Sequence, residues 1–238
     1  MERLSKLVDK KVVCILLHGA SLKNLERNPE ILDRPNLVIA GINNFRGTEQ
    51  SILNRIGRKY DLLLCTSAVE IPRRYDDISR TLDNNPEALF ITTILAISSM
   101  LTPTVFVDRY REQIILVPQI PPWTGTDKQP LSLCVYLKAL TEANPHKVVL
   151  FGCDGAPAGI TADQQKRTYY NEDMFDGTGR ATQISLDTSL FNTHYKVDYR
   201  VPLHNMFGRT LGVINCNTTS HIAVFPVIPY SDIGEYLE

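Results

Sequence analysis

No CxxC pair occurs among the five cysteines, Cys14, Cys65, Cys134, Cys153 and Cys216, which are spread along the 238 residues. That spacing offers neither a zinc site nor a redox motif, and it leaves the thiols to pack as small hydrophobes in a reducing compartment. Charge of one sign is also lacking. Lys and Arg number 25 against 26 Asp and Glu, a formal charge of -1 with a pI near 6.5. A chain so balanced has no field to hold nucleic acid or an anionic membrane, and the Arg73-Arg74 and Arg109/Arg111 clusters are too small to create one. The longest apolar segment, residues 88–101, is interrupted by Thr and Ser and is too short to cross a bilayer. The opening MERLSKLVDKK has no apolar stretch for a signal peptide, so a cytoplasmic protein without a transmembrane segment is expected. No Pro/Gly/Ser-rich linker, internal repeat or low-complexity tract divides the chain. With 43% hydrophobic and 21% charged residues, disorder is excluded and one domain over residues 1–238 is expected to bury its core unaided.

What is present is a series of short, continuous apolar runs, at residues 12–17, 37–40, 62–65, 104–107, 114–117, 148–151 and 211–214. Continuous rather than alternating apolarity marks strands buried on both faces, the habit of parallel sheets. Between the runs, residues 21–32, 49–56 and 131–143 carry helical apolar spacing, and Thr161 to Gln164 is a capping-box spacing. The alternation predicts a three-layer α/β/α Rossmann-like sandwich with a mostly parallel sheet, whose ligands bind beyond the carboxyl ends of the strands. Residues 117–130, with Pro118, Pro121, Pro122 and Pro130 around the single tryptophan, read as a long loop or flap.

Three strand ends carry the candidate chemistry. After the first comes His18-Gly19-Ala20-Ser21, where glycine permits a tight turn and the following N–H groups and hydroxyl can meet a phosphate, or Ser21 can simply cap a helix. Because this loop lies at a strand end, a bulky residue at Gly19 is expected to block a ligand while sparing the fold. After the second strand, Asn43 and Asn44 offer amides for a base edge or ribose, or for a local turn. After the strand at 148–151, Asp154 sits between Gly152 and Gly155, where a carboxylate can bind a sugar hydroxyl, hold Mg²⁺, act as a base or merely shape a turn. Glu172 and Asp176, four apart, are candidate Mg²⁺ ligands or solvated surface acids. No Gly-x-Ser-x-Gly elbow exists and no histidine pair has metal-ligand spacing, so nucleophilic hydrolysis and a metal centre gain no support.

The order of these features resembles a superfamily. It unites bacterial sialyltransferases of the Campylobacter type with the 6-hydroxymethylpterin diphosphokinase-like and motility-accessory-factor proteins. The carrying segments are the G-x-S-L loop at Gly19, the N-x-F turn at Asn43, KVVLFGCD at 147–154 and GVINCNTTSHIAVFPVIPY at 212–230. The resemblance implies that Gly19, Ala20 and Ser21 embrace nucleotide phosphates and that Asn43, Ser132, Asn217, Thr218, Thr219 and Ser220 lie near the nucleotide. It also implies that Asp154 is the aspartate of G-x-D. The chain departs from the pattern at His18, Ala20 and Leu133, which replace an asparagine or small residue, a proline and a glycine. The tyrosines after G-x-D are absent, Tyr169 and Tyr170 being nearest, and only His194 stands as a candidate for the sialyltransferase base. Of the Pro-Asp step in the pterin-kinase branch, only Tyr60-Asp61 remains.

The expectation is a nucleotide-dependent transferase, glycosyltransferase-like, that uses a nucleotide or nucleotide-sugar donor in glycan or surface-polysaccharide assembly. Asp154 or His194 is the candidate base, and Gly19, Ala20, Ser21, Asn43, Asn44, Ser132, Asn217, Thr218, Thr219 and Ser220 are candidate donor-binding residues. A small molecule or glycan is the expected substrate, with no nucleic-acid partner, and a homo-oligomer is compatible with the sequence. Two alternatives are a diphosphokinase, for which Mg²⁺ is obligatory, and a non-catalytic ligand-binding or interaction module on the same fold.

Overall fold

The computed structural model describes residues 1–43, 48–66, 68, 70–118, 132–154, 212–220, 222 and 225–238. Seven strands form one sheet: β1 (Val12–Leu16), β2 (Leu37–Ile42), β3 (Leu62–Leu64), β4 (Leu89–Thr92), β5 (Ile114–Leu116), β6 (Lys147–Phe151) and β7 (Val213–Asn215). Every pairing is parallel, and the spatial order is β5-β4-β3-β2-β1-β6-β7.

All residues of β1 to β4 are buried, as continuous apolar strands between two helical layers must be. Alternate side chains enter two separate cores. Val13, Ile15, Val38, Ala40, Val148 and Leu150 join one, together with α1 (Glu2–Val8) and α8 (Ser132–Ala143). Val12, Cys14, Leu16, Ile39, Phe90 and Phe151 join the other. That second core is closed by α2 (Lys23–Arg27), α3 (Thr48–Arg55), α4 (Glu70–Arg73), α5 (Tyr75–Asn84), α6 (Ile94–Ser98) and α7 (Pro103–Tyr110). The helices that link β1 to β5 thus lie on one face, and α8, which carries the chain back to β6, lies on the opposite face. Right-handed crossovers require this. The architecture is the three-layer α/β/α Rossmann-like sandwich.

On the α8 face, α1 reaches the far edge of the sheet. The Arg3 guanidinium donates to the carbonyls of Glu112 and Ile114, the latter at 2.6 Å. A terminal 3₁₀ helix, Tyr230–Leu237, closes the other face by burying Ile233 and Leu237. It is tied down by Arg34 on the Gly234 carbonyl (3.0 Å) and Asn36 on that of Leu237 (2.7 Å).

Two segments differ from the sequence expectation. Residues 104–107 are not a strand but the middle of α7, which begins at Pro103. The proline's fixed φ suits the first helical turn, and Phe106 and Tyr110, four apart, pack against one core. The strand of this region is instead β4, within the longer apolar stretch at 88–101. The helix expected over 21–32 is broken into a 3₁₀ turn Ala20–Leu22, α2 and a second 3₁₀ turn Pro29–Leu32. Asn28 at φ -142 ends α2, and the ring of Pro29 cannot continue it. Val117 and Pro118 follow β5 without regular structure, and residues 119–130 of the expected flap lie outside the described residues.

Candidate functional site

From β1 the chain steps outward through β2 to β5 and then returns to lay β6 on the other side of β1. The crevice beyond the carboxyl ends of β1 and β6 is therefore a topological switch point, where loops diverge and open α/β sheets bind ligands.

The two loops meet there through backbone. The β1–β6 ladder runs on past the strands: Leu17 N–H donates to the Phe151 carbonyl at 2.8 Å and Gly19 N–H to that of Gly152 at 2.9 Å. A Cβ on Gly19 would lie 2.5 Å from the Gly152 oxygen and 2.5 Å from Asp154 Cγ. Gly152 has φ +69, and a Cβ there would strike the Leu17 carbonyl. Each glycine is needed for the approach of the other loop, and this corrects the expectation that a bulky residue at Gly19 would spare the fold.

Asp154 fastens the junction. Its Oδ2 accepts Ser21 N–H at 2.7 Å, and its Oδ1 accepts the Ser21 hydroxyl and Asn217 Nδ2–H, the latter at 2.8 Å. Ser21 is thus no helix cap: it lies inside the 3₁₀ turn, and Leu22 holds the N-cap position of α2. The N–H and hydroxyl that the sequence reserves for a phosphate are both engaged by the chain's own carboxylate. From the β7 side, buried Asn215 donates Nδ2–H to the Cys153 carbonyl at 2.9 Å and accepts Asn217 N–H at 3.1 Å. Asn217 Oδ1 accepts the Thr219 N–H (3.0 Å) and hydroxyl (2.9 Å), and the Ser220 hydroxyl donates to the Cys153 carbonyl at 2.7 Å. Loops after β1, β6 and β7 converge on residues 153 and 154.

No protein-family model and no curated protein matches this sequence.

One measurable consequence concerns Asp154→Asn. The amide places an NH₂ where one of three donors now points, so at least one charge-assisted bond becomes a donor–donor clash. Such bonds are worth about 1.5–3 kcal/mol each. A stability loss of about that size is expected by chemical denaturation, and an unchanged midpoint would show that the carboxylate does not tie the loops.

A second cluster lies at the carboxyl ends of β1 and β2. The His18 side chain is 17% exposed and Glu49, in the first turn of α3, only 1%. His18 Nδ1 lies 2.6 Å from Glu49 Oε1 and Nε2 lies 2.8 Å from the Ile42 carbonyl. A carbonyl can only accept, so Nε2 carries a proton. Facing the Glu49 carboxylate, Nδ1 donates when the ring is doubly protonated, and that form is favoured. Burial alone pushes the His18 pKa down and Arg74 opposes protonation too. The charge of Glu49, its hydrogen bond and the Ile42 carbonyl outweigh both and raise it above its ordinary value. Glu49 Oε2 and Asn43 Oδ1 are buried without a hydrogen-bond partner among the described residues. Asn43 itself adopts φ +60, which asparagine tolerates, and its N–H donates to the Leu64 carbonyl at 2.7 Å.

Of the residues the sequence singles out, Gly19, Ser21, Asp154, Asn217, Thr219 and Ser220 come together through these bonds, with Ala20 in the same 3₁₀ turn and Thr218 exposed beside them. Asn43 directly follows the neighbouring β2, and Ser132 opens α8. No bond links Ser132 to the cluster among the described residues. Asn44, His194, Tyr169, Tyr170, Glu172 and Asp176 lie outside the described residues, as does the capping-box spacing at Thr161. The sequence reading passes over the His18–Glu49 pair and Asn215. A polar residue closing the strand VIN was the available signal for Asn215; for Glu49 there was none. Cys14, Cys65, Cys153 and Cys216 are buried. Burial pushes the Cys216 thiol up to about 12 and raises those of Cys14 and Cys153, so these three are not thiolate nucleophiles. Among the described residues, no group of three or more His, Cys, Asp or Glu is arranged to hold a metal, and no helix is long and apolar enough to cross a membrane.

Proposed function

We propose that the chain is a nucleotide-dependent transferase, glycosyltransferase-like, acting in the cytoplasm on a small-molecule or glycan acceptor, with its donor bound across the carboxyl ends of β1 and β6. The observation that carries this reading is the convergence of three loops on Asp154 at the switch point of the sheet. The rim there is polar and its parts are chemically distinct. Asp154, partly exposed, has lone-pair capacity beyond its three bonds for a sugar hydroxyl. Thr218 and Thr219 are exposed residues that add hydroxyl groups to the same rim. Because Ser21 is engaged by Asp154, its N–H and hydroxyl are not open to a phosphate in this arrangement.

A thermal-shift panel of CMP, CDP, UDP, GDP and ATP, each with and without Mg²⁺, tests the reading. A nucleotide present at 100 times its Kd stabilises the folded state by about 2.7 kcal/mol, a shift of several degrees in Tm. At least one pyrimidine or guanine nucleotide is expected to shift Tm without metal. Stabilisation only by ATP with Mg²⁺ would favour the diphosphokinase alternative, and no shift with any nucleotide would remove both.

A further inference from the structure

We propose that His18 is the proton donor of this site, a catalytic acid that protonates the departing oxygen of the donor, and that Glu49 is the residue that positions it. The inference rests on the transferase reading and names one of its working groups. Three requirements of a general acid are met by named atoms. It must hold a transferable proton at rest: the Ile42 carbonyl 2.8 Å from Nε2 fixes a proton on that nitrogen, and the Glu49 carboxylate at Nδ1 favours the doubly protonated ring. It must be oriented by a third group, and Glu49 Oε1 lies 2.6 Å from Nδ1 on a side chain only 1% exposed, fixed by α3. It must stand where the reaction occurs. His18 directly precedes Gly19, whose N–H is bonded to the loop that carries Asp154, and its side chain retains 17% exposure.

A purely structural ion pair between β1 and α3 is the competing account, and the atoms argue against it. Burying two charges is offset only when their remaining hydrogen-bonding capacity is satisfied, yet Glu49 Oε2 is buried with no partner among the described residues. A carboxylate left unsatisfied beside an imidazolium is poorly suited to stability. It is well suited to keeping a proton on the ring while the ring turns. Among the described residues, Arg74, at the N-terminus of α5, acts electrostatically on His18, and the charge of Glu49 acts on Tyr60.

In the step itself, the bond between the anomeric carbon and the phosphate oxygen breaks, and that oxygen keeps the electron pair. It takes the proton from Nε2 as the ring leaves the Ile42 carbonyl. The acceptor oxygen forms the new bond to the anomeric carbon and its hydroxyl proton passes to water, from which the imidazole is reprotonated.

The test uses the full chain with UDP-glucose, GDP-mannose and CMP-sialic acid as probes. Water serves as acceptor, and the released nucleotide is measured alongside calorimetric binding of CMP, UDP and GDP. H18Q is expected to lower kcat by about 10²–10⁴-fold with nucleotide affinity unchanged. In the parent the alkaline limb of the pH–rate profile is expected above the ordinary histidine value near 6.5, and E49Q, which keeps an acceptor at Nδ1 but removes the charge, moves it down. E49Q carries the test by itself if H18Q does not fold. Parent-like kcat in H18Q, or an alkaline limb unmoved in E49Q, overturns the assignment. A parent that binds a nucleotide but cleaves no donor overturns the acid role alone, whereas a parent that binds none of the nucleotides removes the transferase reading along with it.

Discussion

Gly152→Ala is expected to destabilise the protein by about 2.5–6.5 kcal/mol, from three contributions. The native φ of +69 lies in the left-handed region, where an L side chain costs about 1–2 kcal/mol. The new methyl group meets the Leu17 carbonyl and lies 3.2 Å from the nitrogen of Gly19. Both are backbone atoms of β1's exit that cannot rotate away, and overpacking of this kind costs about 1–3 kcal/mol. Pushing the loops apart also weakens the bond from Gly19 N–H to the Gly152 carbonyl, worth about 0.5–1.5 kcal/mol. Gly57 supplies the control. Its φ is +66, but nothing lies within 4 Å of the position a Cβ would take, so Gly57→Ala should cost the conformational contribution alone. Chemical denaturation of both variants separates strain from collision. If Gly152→Ala proves no more costly than Gly57→Ala, the loops after β1 and β6 do not approach each other in this way.

The sheet was legible because its chemistry is local. A strand covered on both faces must be apolar at every position, and residues 12–17, 37–40, 62–65 and 148–151 show that directly. Where the same signal is ambiguous the reading fails. Thr104, Val105, Phe106 and Val107 are apolar and β-branched enough for a strand, yet Pro103 starts a helix there that leaves Val105 59% exposed and buries Phe106 and Tyr110. Inside residues 88–101, one apolar run holds both β4 and α6, and only Thr93, whose hydroxyl accepts Ala96 N–H, marks the change. The site divides in the same manner. Gly19, Ser21 and Asp154 stand at strand ends, and fold class alone tells which strand ends matter. Glu49 and His18 are 31 residues apart with no motif between them. Their contact exists because β2 lies beside β1 and α3 begins above that pair, which is a fact of topology rather than of spacing. The two bonds of Asp154 to Ser21 are likewise a product of the β1–β6 pairing, across 133 residues.

That same topology makes the His18–Glu49 pair sensitive to pH in a direction that can be fixed in advance. Burial lowers the His18 pKa, but Glu49 and the Ile42 carbonyl outweigh it and raise the pKa above its unfolded value, so the folded state binds the proton more tightly than the unfolded chain does. The resulting stability is fully present below about pH 6.5 and is lost as the pH rises through the higher, folded-state pKa. Glu49→Ala should invert this dependence. Burial is the largest influence on His18 and favours the neutral ring, and Arg74 acts in the same sense, so without Glu49 the folded-state pKa falls below the unfolded value. The variant then gains stability as the pH rises through that region, while the parent loses it. Removing one partner of a buried ion pair costs about 3–5 kcal/mol. The full cost is expected at about pH 6, where His18 would be a buried cation without its carboxylate, and a smaller one at about pH 8, where the ring can be neutral. Denaturation midpoints of parent and variant measured across that interval should therefore converge with rising pH. Parallel curves would mean that His18 does not change charge in the folded protein, and the hydrogen bond to the Ile42 carbonyl would then belong to a ring that is neutral throughout.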